Sequence, residues 1–245
     1  MINYESFKQT LIEEYKYKTE LHAHTKPASE CSEIPPAELV ETYHKKGFDA
    51  VVITNHFNLS YQYIRELSKD EVLDIYLKDY EEARTAAADC GMKIILGTEI
   101  RFTENFNDYL IYGVDREILS KCYEYLDEGV EKFRTEVKLP QSVFIQAHPF
   151  RRGMELCNPE ILDGIETFNM HQGHNSRVSI TARYAKENGF KITTAGSDFH
   201  HKNMGHEAAA ALRTKVLPND SFELAEILKS GDYIFEFGES AIVLP

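Results

Sequence analysis

Long apolar runs are missing from this chain, and their absence excludes several classes of protein. No stretch reaches the roughly 18 consecutive apolar residues that mark a membrane-spanning helix. The first residues, MINYESFKQTLIEEYKYK, are polar and charged, so they lack the apolar core of a secretory signal peptide. We therefore expect a cytoplasmic protein with no membrane partner.

Positive charge and cysteine are also scarce. The 27 lysines and arginines are outnumbered by 40 aspartates and glutamates, which leaves a net charge of −13 at pH 7. This balance disfavours broad binding to long nucleic acids or anionic membranes, although it allows a local basic site. The 4 cysteines are widely spaced and contain no C-x-x-C pair, so we expect reduced thiols.

Glycine motifs for nucleotide binding are absent, since the chain has neither G-x-G-x-x-G nor a P-loop. What the chain does contain is an alternation of short apolar segments with helical patterns. We predict strands at 17–21, 49–54, 92–97, 108–113, 142–147, 163–168, 191–196 and 232–237. We predict helices at 35–47, 70–90, 116–136, 175–188 and 219–229.

This alternation predicts an α/β protein with a parallel sheet and outer helices. Repeated strand–helix units in 245 residues favour a closed barrel over an open doubly wound sheet. No linker, internal repeat or change of composition marks a domain boundary. We therefore expect residues 1–245 to form one (β/α) barrel domain of the TIM type.

The residues that follow the predicted strands carry the chemistry. The first strand ends in His22-Ala23-His24, and on an extended backbone side chains two positions apart point to the same face. The later strands are followed by His56, Glu99, Asp115, His148, Asp198 and His200. In a parallel barrel the carboxyl ends of the strands open on one face, so these side chains should meet in one pocket. Such a gathering of imidazoles and carboxylates predicts a metal site.

This ligand set is too large for one tetrahedral zinc ion, which takes three or four ligands. It fits two or three divalent ions, with a carboxylate bridging a pair of them. Mixed histidine and carboxylate ligands suit Zn, Mn or Fe, and their identity does not choose among these metals. In such a centre a hydroxide between two ions would attack phosphorus in line, while the ions neutralise the phosphoryl oxygens.

Five motifs occur in order along the chain: H-x-H, TNH, GTE, AHPF and GSDFH. In this order they resemble the PHP (polymerase and histidinol phosphatase) family, over about residues 20–205. The resemblance implies a distorted seven-stranded (β/α) barrel with a trinuclear metal centre at the carboxyl ends of the strands. Carried over by position, it implies a first metal held by His22, His24, Glu99 and Asp198. It also implies a second metal held by His56 and His200, and a third held by His148 with Glu99 as the bridge.

Two positions depart from the family pattern. Glu30 stands six residues after His24, where many members have histidine, and a carboxylate there resembles the phosphoesterase branch. Glu30 is either a ligand of the second metal or a solvated loop carboxylate. Asp115 stands nearest to the ligand expected after the fourth strand, but it is equally the favoured N-cap of the next helix. Cys31 lies beside this metal loop, and we expect a bystander thiol rather than a ligand.

Several further residues are candidates for substrate binding. Arg151 and Arg152 follow AHPF, and an arginine there could hold a phosphate bidentately. His171, His174 and Lys26 either line the pocket as substrate or proton-transfer groups or are ordinary loop residues. Glu166 is a candidate for orienting a ligand. We expect catalysis to depend on Asp198, His200 and Glu99.

The leading hypothesis is a metal-dependent phosphoesterase of the histidinol-phosphatase-like kind, acting on a small phosphorylated substrate. The alternative is a nuclease or nucleoside-bisphosphate phosphatase with the same centre, and the acidic chain disfavours long nucleic acid but not a mononucleotide. A third possibility from a different class is a non-catalytic metal-binding module.

Overall fold

Strands and helices alternate along the computed structural model, which describes residues 3–59, 66–202, 205, 207–238 and 241–243. The strands within these residues are β1 (Tyr17–Ala23), β2 (Ala50–Ile53), β3 (His56–Phe57), β4 (Lys93–Leu96), β5 (Thr98–Ile100), β6 (Tyr109–Tyr112), β7 (Val143–Gln146), β8 (Gly164–Asn169), β9 (Ile192–Gly196), β10 (Ala210–Thr214), β11 (Ile234–Phe237) and β12 (Ala241–Val243). The α-helices in the same part of the chain are α1 (Tyr4–Glu14), α2 (Pro36–Lys45), α3 (Lys69–Ala87), α4 (Arg116–Tyr125), α5 (Val130–Glu136), α6 (Val178–Glu187) and α7 (Ser221–Ser230). Across the described ranges, no helix has both the length and the apolar character needed to cross a bilayer.

Local signals determine where several helices begin. Ser68 begins α3 through a reciprocal capping box with Glu71. Asp220 accepts hydrogen bonds from two backbone N–H groups at the start of α7, and Pro36 occupies the first turn of α2. Three of the predicted helices are thus confirmed, with bounds that differ by a few residues.

The predicted helix at 116–136 is instead two helices, α4 and α5. Gly129 lies between them with φ of 87°, so the helix cannot continue through it. A Cβ atom on Gly129 would lie 2.3 Å from the Glu104 carboxylate, which also accepts a hydrogen bond from the Val130 N–H at 3.1 Å. The break therefore depends on a contact with a loop distant in sequence, which helical periodicity does not show.

The strands form two six-stranded sheets, in the orders β12-β11-β10-β1-β2-β4 and β3-β5-β6-β7-β8-β9. Several neighbours are parallel, as predicted, but β6 is antiparallel to both β5 and β7. Strand β10, which the sequence patterns did not predict, is antiparallel to β1 and β11. The expected all-parallel sheet is therefore wrong at these strands. No closed sheet is found among the described strands, so the architecture is a mixed α/β fold.

Among the described residues, three short junctions bring the two sheets together. Strand β2 runs through two residues into β3, and β4 runs through Gly97 into β5. A Cβ atom on Gly97 would lie 2.7 Å from the Val52 side chain, so the bend requires glycine. A single parallel bridge between Ala23 and Phe199 joins β1 to the segment after β9. The predicted metal ligands lie next to these junctions, which explains how residues far apart in sequence come together.

Successive strand residues pack into different cores, as the two-residue period of a strand requires. Ala50 and Val52 of β2 pack among strands of both sheets and α7, whereas Val51 and Ile53 pack against α2 and α3. A further core joins α3, α4 and α5 to strands of the second sheet. The strand ends that carry the predicted metal ligands are therefore supported by packed cores.

Candidate metal centre

Most of the predicted metal ligands lie together where strands of the two sheets meet. The residues brought together are His22, His24, His56, Glu99, His148, Asp198 and His200. All of them are buried except His56, which is half-buried. Burying this many ionisable groups in one place is unfavourable unless they neutralise one another or ligate a cation.

Imidazole nitrogens and carboxylate oxygens of four residues lie close together in this cluster. His22 Nε2 lies 3.4 Å from Glu99 Oε1 and 3.5 Å from Asp198 Oδ1. His24 Nε2 lies 3.4 Å from Glu99 Oε2 and 3.4 Å from Asp198 Oδ1. Both Nε2 atoms are buried without a hydrogen-bond partner among the described residues. A tetrahedral ion with bonds of about 2.1 Å needs ligand atoms about 3.4 Å apart, so the residues fit a metal ion.

A second group consists of three imidazoles. His56 Nε2 and His200 Nε2 face each other at 3.4 Å. The His24 ring centroid lies 4.0 Å from that of His200 and 4.4 Å from that of His56. One nitrogen from each of these rings lies within 4.8 Å of the others, a spacing that suits a second ion.

Glu99 links these groups to a third. His56 Nδ1 lies 2.8 Å from Glu99 Oε2, and His148 Nε2 lies 3.0 Å from Glu99 Oε1. Asp108 joins them, since its Oδ2 is 3.7 Å from His148 Nε2 and it shares a candidate ligand group with His56 and Glu99. A carboxylate that contacts several groups in this way is placed to bridge ions.

Two buried side chains hold the ligands in position. Glu166 Oε1 lies 2.8 Å from His22 Nδ1, and Glu166 Oε2 accepts the His148 backbone N–H at 2.9 Å. Asn169 donates its amide hydrogens to Glu166 at 3.1 Å and to Asp198 at 3.0 Å. A contact at Nδ1 fixes the imidazole so that Nε2 faces the cluster. These contacts support the expectation that Glu166 orients a ligand.

The backbone of the cluster is strained at two of the predicted ligands. His148 and Asp198 have positive φ values of 28° and 52°, which side chains with a Cβ atom rarely adopt. Strain of this kind is found where function overrides local preference. Gly196 precedes Asp198 in the GSDFH motif, and a Cβ atom there would lie 2.3 Å from His22 Cβ. The motif therefore needs its glycine so that β9 can pass next to the first ligand.

The charges of the cluster favour ionised carboxylates. Burial alone would raise the pKa of Glu99 and of Asp198, but nearby imidazoles, His22 above all, hold both pKa values well below their usual range. Burial lowers the pKa of His24 well below its usual value, and charge on two neighbouring imidazoles adds to this effect. Burial alone would lower the pKa of His22 and of His56, but nearby carboxylates raise both pKa values well above the usual range. A metal would therefore bind the neutral His24 directly and would displace protons from His22 and His56.

Asp115 lies elsewhere, and this corrects one of the sequence predictions. Its side chain accepts the Ile118 N–H at 2.9 Å as the N-cap of α4, and the residue is exposed. The physical reason is that β6 runs antiparallel to its neighbours, so its carboxyl end points away from the cluster. The amino end of β6 lies at the cluster instead, which brings Asp108 into the position where Asp115 was expected.

A cavity of about 600 Å³ opens beside the cluster. Its lining residues are Glu30, Cys31, His56, Asn58, Arg101, Asp108, Arg151, His171, His174, His200 and His201. Of the residues predicted to bind substrate, Arg151 makes an ion pair with Asp198. The rings of His171 and His174 stack with centroids 4.4 Å apart. Lys26 and Arg152 are exposed and are not among the lining residues.

Arg101 and Asp108 are cavity residues that sequence reasoning missed. Arg101 donates from Nε and Nη2 to the two oxygens of Asp108, at 2.7 Å each. Arg101 was detectable, because it stands two positions after Glu99 and strand residues two apart share a face. Asp108 could not be detected from the sequence, because nothing in its local sequence shows the direction of β6.

Glu30 and Cys31 lie side by side in the loop after the first strand. Glu30 is exposed at the cavity rim and makes no hydrogen bond or ion pair with the residues the structure describes. Cys31 is exposed as well and lines the same cavity as His56 and His200. Partial burial would raise its pKa, but the two imidazoles outweigh this effect and lower the pKa to about 6.

Comparison with known proteins identifies the family of the chain. The family model of the PHP domain matches residues 20–216, so the chain belongs to the PHP domain family. The chain is similar in structure to a two-domain protein from Bacteroides vulgatus that contains a predicted PHP-like metal-dependent phosphoesterase. The TM-score is 0.63 at 16% identity, over 91% of this chain and 65% of that protein. This chain thus spans less than two thirds of that relative, and the likeness shows the fold.

Two other solved structures are more distant. One is from Bifidobacterium adolescentis and is provisionally named a metal-dependent phosphoesterase, with a TM-score of 0.48 and 18% identity over 75% of this chain and 88% of that one. The other is an amidohydrolase from Chromobacterium violaceum with bound sulfate and no metal, with a TM-score of 0.44 and 15% identity over 76% of this chain and 88% of that one. No curated protein matches the chain.

Proposed function

We propose that this chain is a metal-dependent phosphoesterase that hydrolyses a small phosphomonoester, as histidinol-phosphatase-like enzymes do. The observation that carries the proposal is the spacing of 3.4–3.5 Å between the buried Nε2 atoms of His22 and His24 and the carboxylate oxygens of Glu99 and Asp198. Membership of the PHP domain family supports it, as does the likeness to a protein with a predicted phosphoesterase domain.

The ligand groups would hold two or three divalent ions of zinc, manganese or iron. The first group is His22, His24, Glu99 and Asp198, the second is built on His56 and His200, and the third is Glu99, His148 and Asp108. When bound, such ions lower the pKa of a water nucleophile and neutralise charge on the phosphoryl oxygens. In this assignment Asp108 replaces Asp115 as a ligand.

The arginines of the cavity would recognise the phosphate. Arg151 reaches Asp198 from the cavity wall, so a phosphate bound beside Asp198 would lie within reach of its guanidinium. Arg101 lines the same cavity, and its planar group is held in one orientation by Asp108. Guanidinium groups fixed in this way suit phosphate, because they offer paired N–H donors.

The remaining lining suits a small alcohol or nucleoside portion. A cavity of about 600 Å³ is of the size that holds a small ligand. Burial lowers the pKa of His171 to about 4, so this imidazole is neutral at physiological pH and can exchange hydrogen bonds without adding charge. The net charge of −13 disfavours long nucleic acid as the partner, so we propose a small phosphorylated substrate and no membrane partner.

The test is a phosphate-release screen on protein that is stripped of metal and reloaded with Mn or Zn. The substrates are phosphomonoesters, mononucleotides, nucleoside bisphosphates and short oligonucleotides, with Asp198→Asn as the control. We expect metal-dependent release from at least one monoester and far less from the variant. Cleavage of oligonucleotides alone would favour the nuclease alternative. Bound metal without any turnover would favour a non-catalytic module.

A further inference from the structure

His22 and His24 have different kinds of partner at Nδ1. The carboxylate of Glu166 lies 2.8 Å from His22 Nδ1. His24 Nδ1 instead lies 3.1 Å from the neutral hydroxyl of Ser29, and His24 and Ser29 are both fully buried. A hydroxyl can donate or accept a hydrogen bond, so this contact alone does not show which of the two atoms carries the hydrogen. The other partners of Ser29 decide this.

Ser29 must use its only hydroxyl hydrogen on Asn55. The hydroxyl donates to Asn55 Oδ1 at 3.0 Å and accepts the His56 backbone N–H at 2.9 Å. Asn55 Oδ1 is an acceptor and has no hydrogen to give in return. Ser29 Oγ therefore has only a lone pair left for His24, so His24 Nδ1 carries the hydrogen and donates it.

The orientation of the Asn55 amide is fixed by Thr25. Asn55 Oδ1 accepts the Thr25 backbone N–H at 2.7 Å, and Asn55 Nδ2 donates to Thr25 Oγ1 at 2.8 Å. The Thr25 hydroxyl gives its own hydrogen to Asp79 Oδ2 at 2.9 Å. A flipped amide would place Nδ2 against the Thr25 backbone N–H, which is also a donor, so the oxygen must face this N–H and Ser29. The direction of each hydrogen bond from His24 to Asp79 is thus determined.

We infer that Asn55 is a positioning residue, which acts through Ser29 to keep His24 in the tautomer with hydrogen on Nδ1 and a lone pair on Nε2. The lone pair on Nε2 is what would ligate a metal, so this inference rests on the proposed metal centre. Glu99 and Asp198 each place an oxygen 3.4 Å from His24 Nε2, and these acceptors would favour a hydrogen there. The hydrogen bond to Ser29 opposes this preference.

Substitutions at Asn55 separate this role from packing. Asn55→Leu keeps a similar volume but removes the acceptor, so the Ser29 hydroxyl becomes free to donate to His24 Nδ1 and the hydrogen of the imidazole can move to Nε2. Asn55→Asp keeps an acceptor for Ser29 and should preserve the wild-type tautomer. Thr54→Val is the matched control, because Thr54 is fully buried next to Asn55 but its hydroxyl bonds to the Ala23 backbone rather than to an imidazole.

Nitrogen NMR of isotope-labelled, metal-free protein measures the tautomer, because ring nitrogens with and without hydrogen differ in chemical shift. The spectra are recorded at about pH 8, above the ordinary pKa of histidine, and the His24 signals are assigned by their loss in His24→Gln. We expect hydrogen on Nδ1 in the wild type, Asn55→Asp and Thr54→Val, and a shift of hydrogen to Nε2 in Asn55→Leu. Zinc affinity, measured by titration of the stripped protein, should fall about 10- to 100-fold in Asn55→Leu only.

The outcomes separate this inference from the proposed function. Hydrogen on His24 Nε2 in the wild type, or an unchanged tautomer in Asn55→Leu, overturns the role of Asn55 and leaves the metal centre standing. An equal loss of zinc affinity in Thr54→Val overturns it as well, since the effect would then be one of packing.

Failure of the wild type to bind zinc or manganese overturns the proposed function, and this inference with it, whichever tautomer is found. Because Asn55→Leu could fold poorly, the wild type and Asn55→Asp provide measurements that do not depend on that variant. Hydrogen on His24 Nε2 in either of these proteins overturns the inference.

Discussion

Asp108 precedes strand β6 and Asp115 follows it, and the two carboxylates have very different surroundings. Asp108 is buried, accepts both N–H donors of Arg101 and lies 3.7 Å from His148 Nε2. Asp115 is exposed and caps α4. Both stand at the end of an apolar strand, so their local sequences do not distinguish them.

The difference teaches that strand direction decides which end of a strand contributes to the site. The parallel strands β8 and β9 place Asn169 and Asp198 at or just beyond their carboxyl ends, at the cluster. Strand β6 is antiparallel to both of its neighbours, so its amino end lies there instead. Changes at Asp108 should therefore affect metal binding, whereas changes at Asp115 should affect only the stability of the fold. Each end of β6 is thus a control for the other.

The largest effect should come from Asp198→Asn, which changes a proposed metal ligand. Its loss of activity is the reference with which the other variants are compared. The amide keeps the shape of the side chain but loses the charge that faces His22, His24 and Arg151. We expect the rate of phosphate release to fall more than about a hundredfold, or about 2.7 kcal/mol of barrier. The measurement is kcat/KM with saturating Mn or Zn. Activity within about threefold of the wild type, under 1 kcal/mol, would show that Asp198 is not a catalytic ligand.

Glu166→Gln should have the next largest effect, because it removes the charged acceptor behind His22 without removing a ligand. We expect metal affinity or activity to fall by about 10- to 100-fold, as is usual when the partner of a metal-bound histidine is changed. Metal titration of the stripped protein measures this. The matched control is Glu187→Gln on the exposed face of α6, which should change neither quantity. Equal affinities in the two variants would mean that Glu166 has only a structural role.

Asp108→Asn tests the cluster end of β6. Loss of the carboxylate should lower metal content by about one ion per chain and activity by roughly tenfold or more. Metal analysis and kcat/KM check this, and the pairing of Arg101 with Asp108 predicts a raised KM for the phosphate as well. An unchanged metal content would show that Asp108 only positions Arg101.

Asp115→Ala tests the other end of β6 and should have the smallest effect. Loss of the N-cap of α4 should lower the free energy of unfolding by about 1 kcal/mol. The melting temperature should then fall by roughly 2–4 °C, as expected for a chain of this size. Metal content and kcat/KM should match the wild type. A loss of metal in Asp115→Ala, with none in Asp108→Asn, would reverse the comparison of the two ends.

Much of the site could be predicted from the sequence because it depends on strand ends. His22, His24, Glu99 and Asp198 follow or lie in apolar segments that form strands at the expected places. Their convergence needs only the general behaviour of strands with neighbouring carboxyl ends. The resemblance to the PHP family added a prediction of which residues share a metal ion.

The features that could not be predicted depend on contacts between residues distant in sequence, which local sequence patterns do not show. The direction of β6 is set by its hydrogen bonds to β5 and β7, so Asp108 could not be distinguished from Asp115. The break between α4 and α5 depends on Glu104, which is distant in sequence. Likewise, the loop after His24 is tied to the backbone of His56 and His200, and this leaves both Glu30 and Cys31 exposed.

The most direct test of the central claim is anomalous diffraction from crystals soaked in zinc or manganese. The account predicts a peak about 2.0–2.2 Å from His22 Nε2, His24 Nε2 and the facing carboxylate oxygens of Glu99 and Asp198. It also predicts at least one further peak between Glu99 and the imidazoles of His56, His148 or His200, and none at Asp115. A fully soaked crystal with no peak inside the cluster would contradict the assignment of a metal centre.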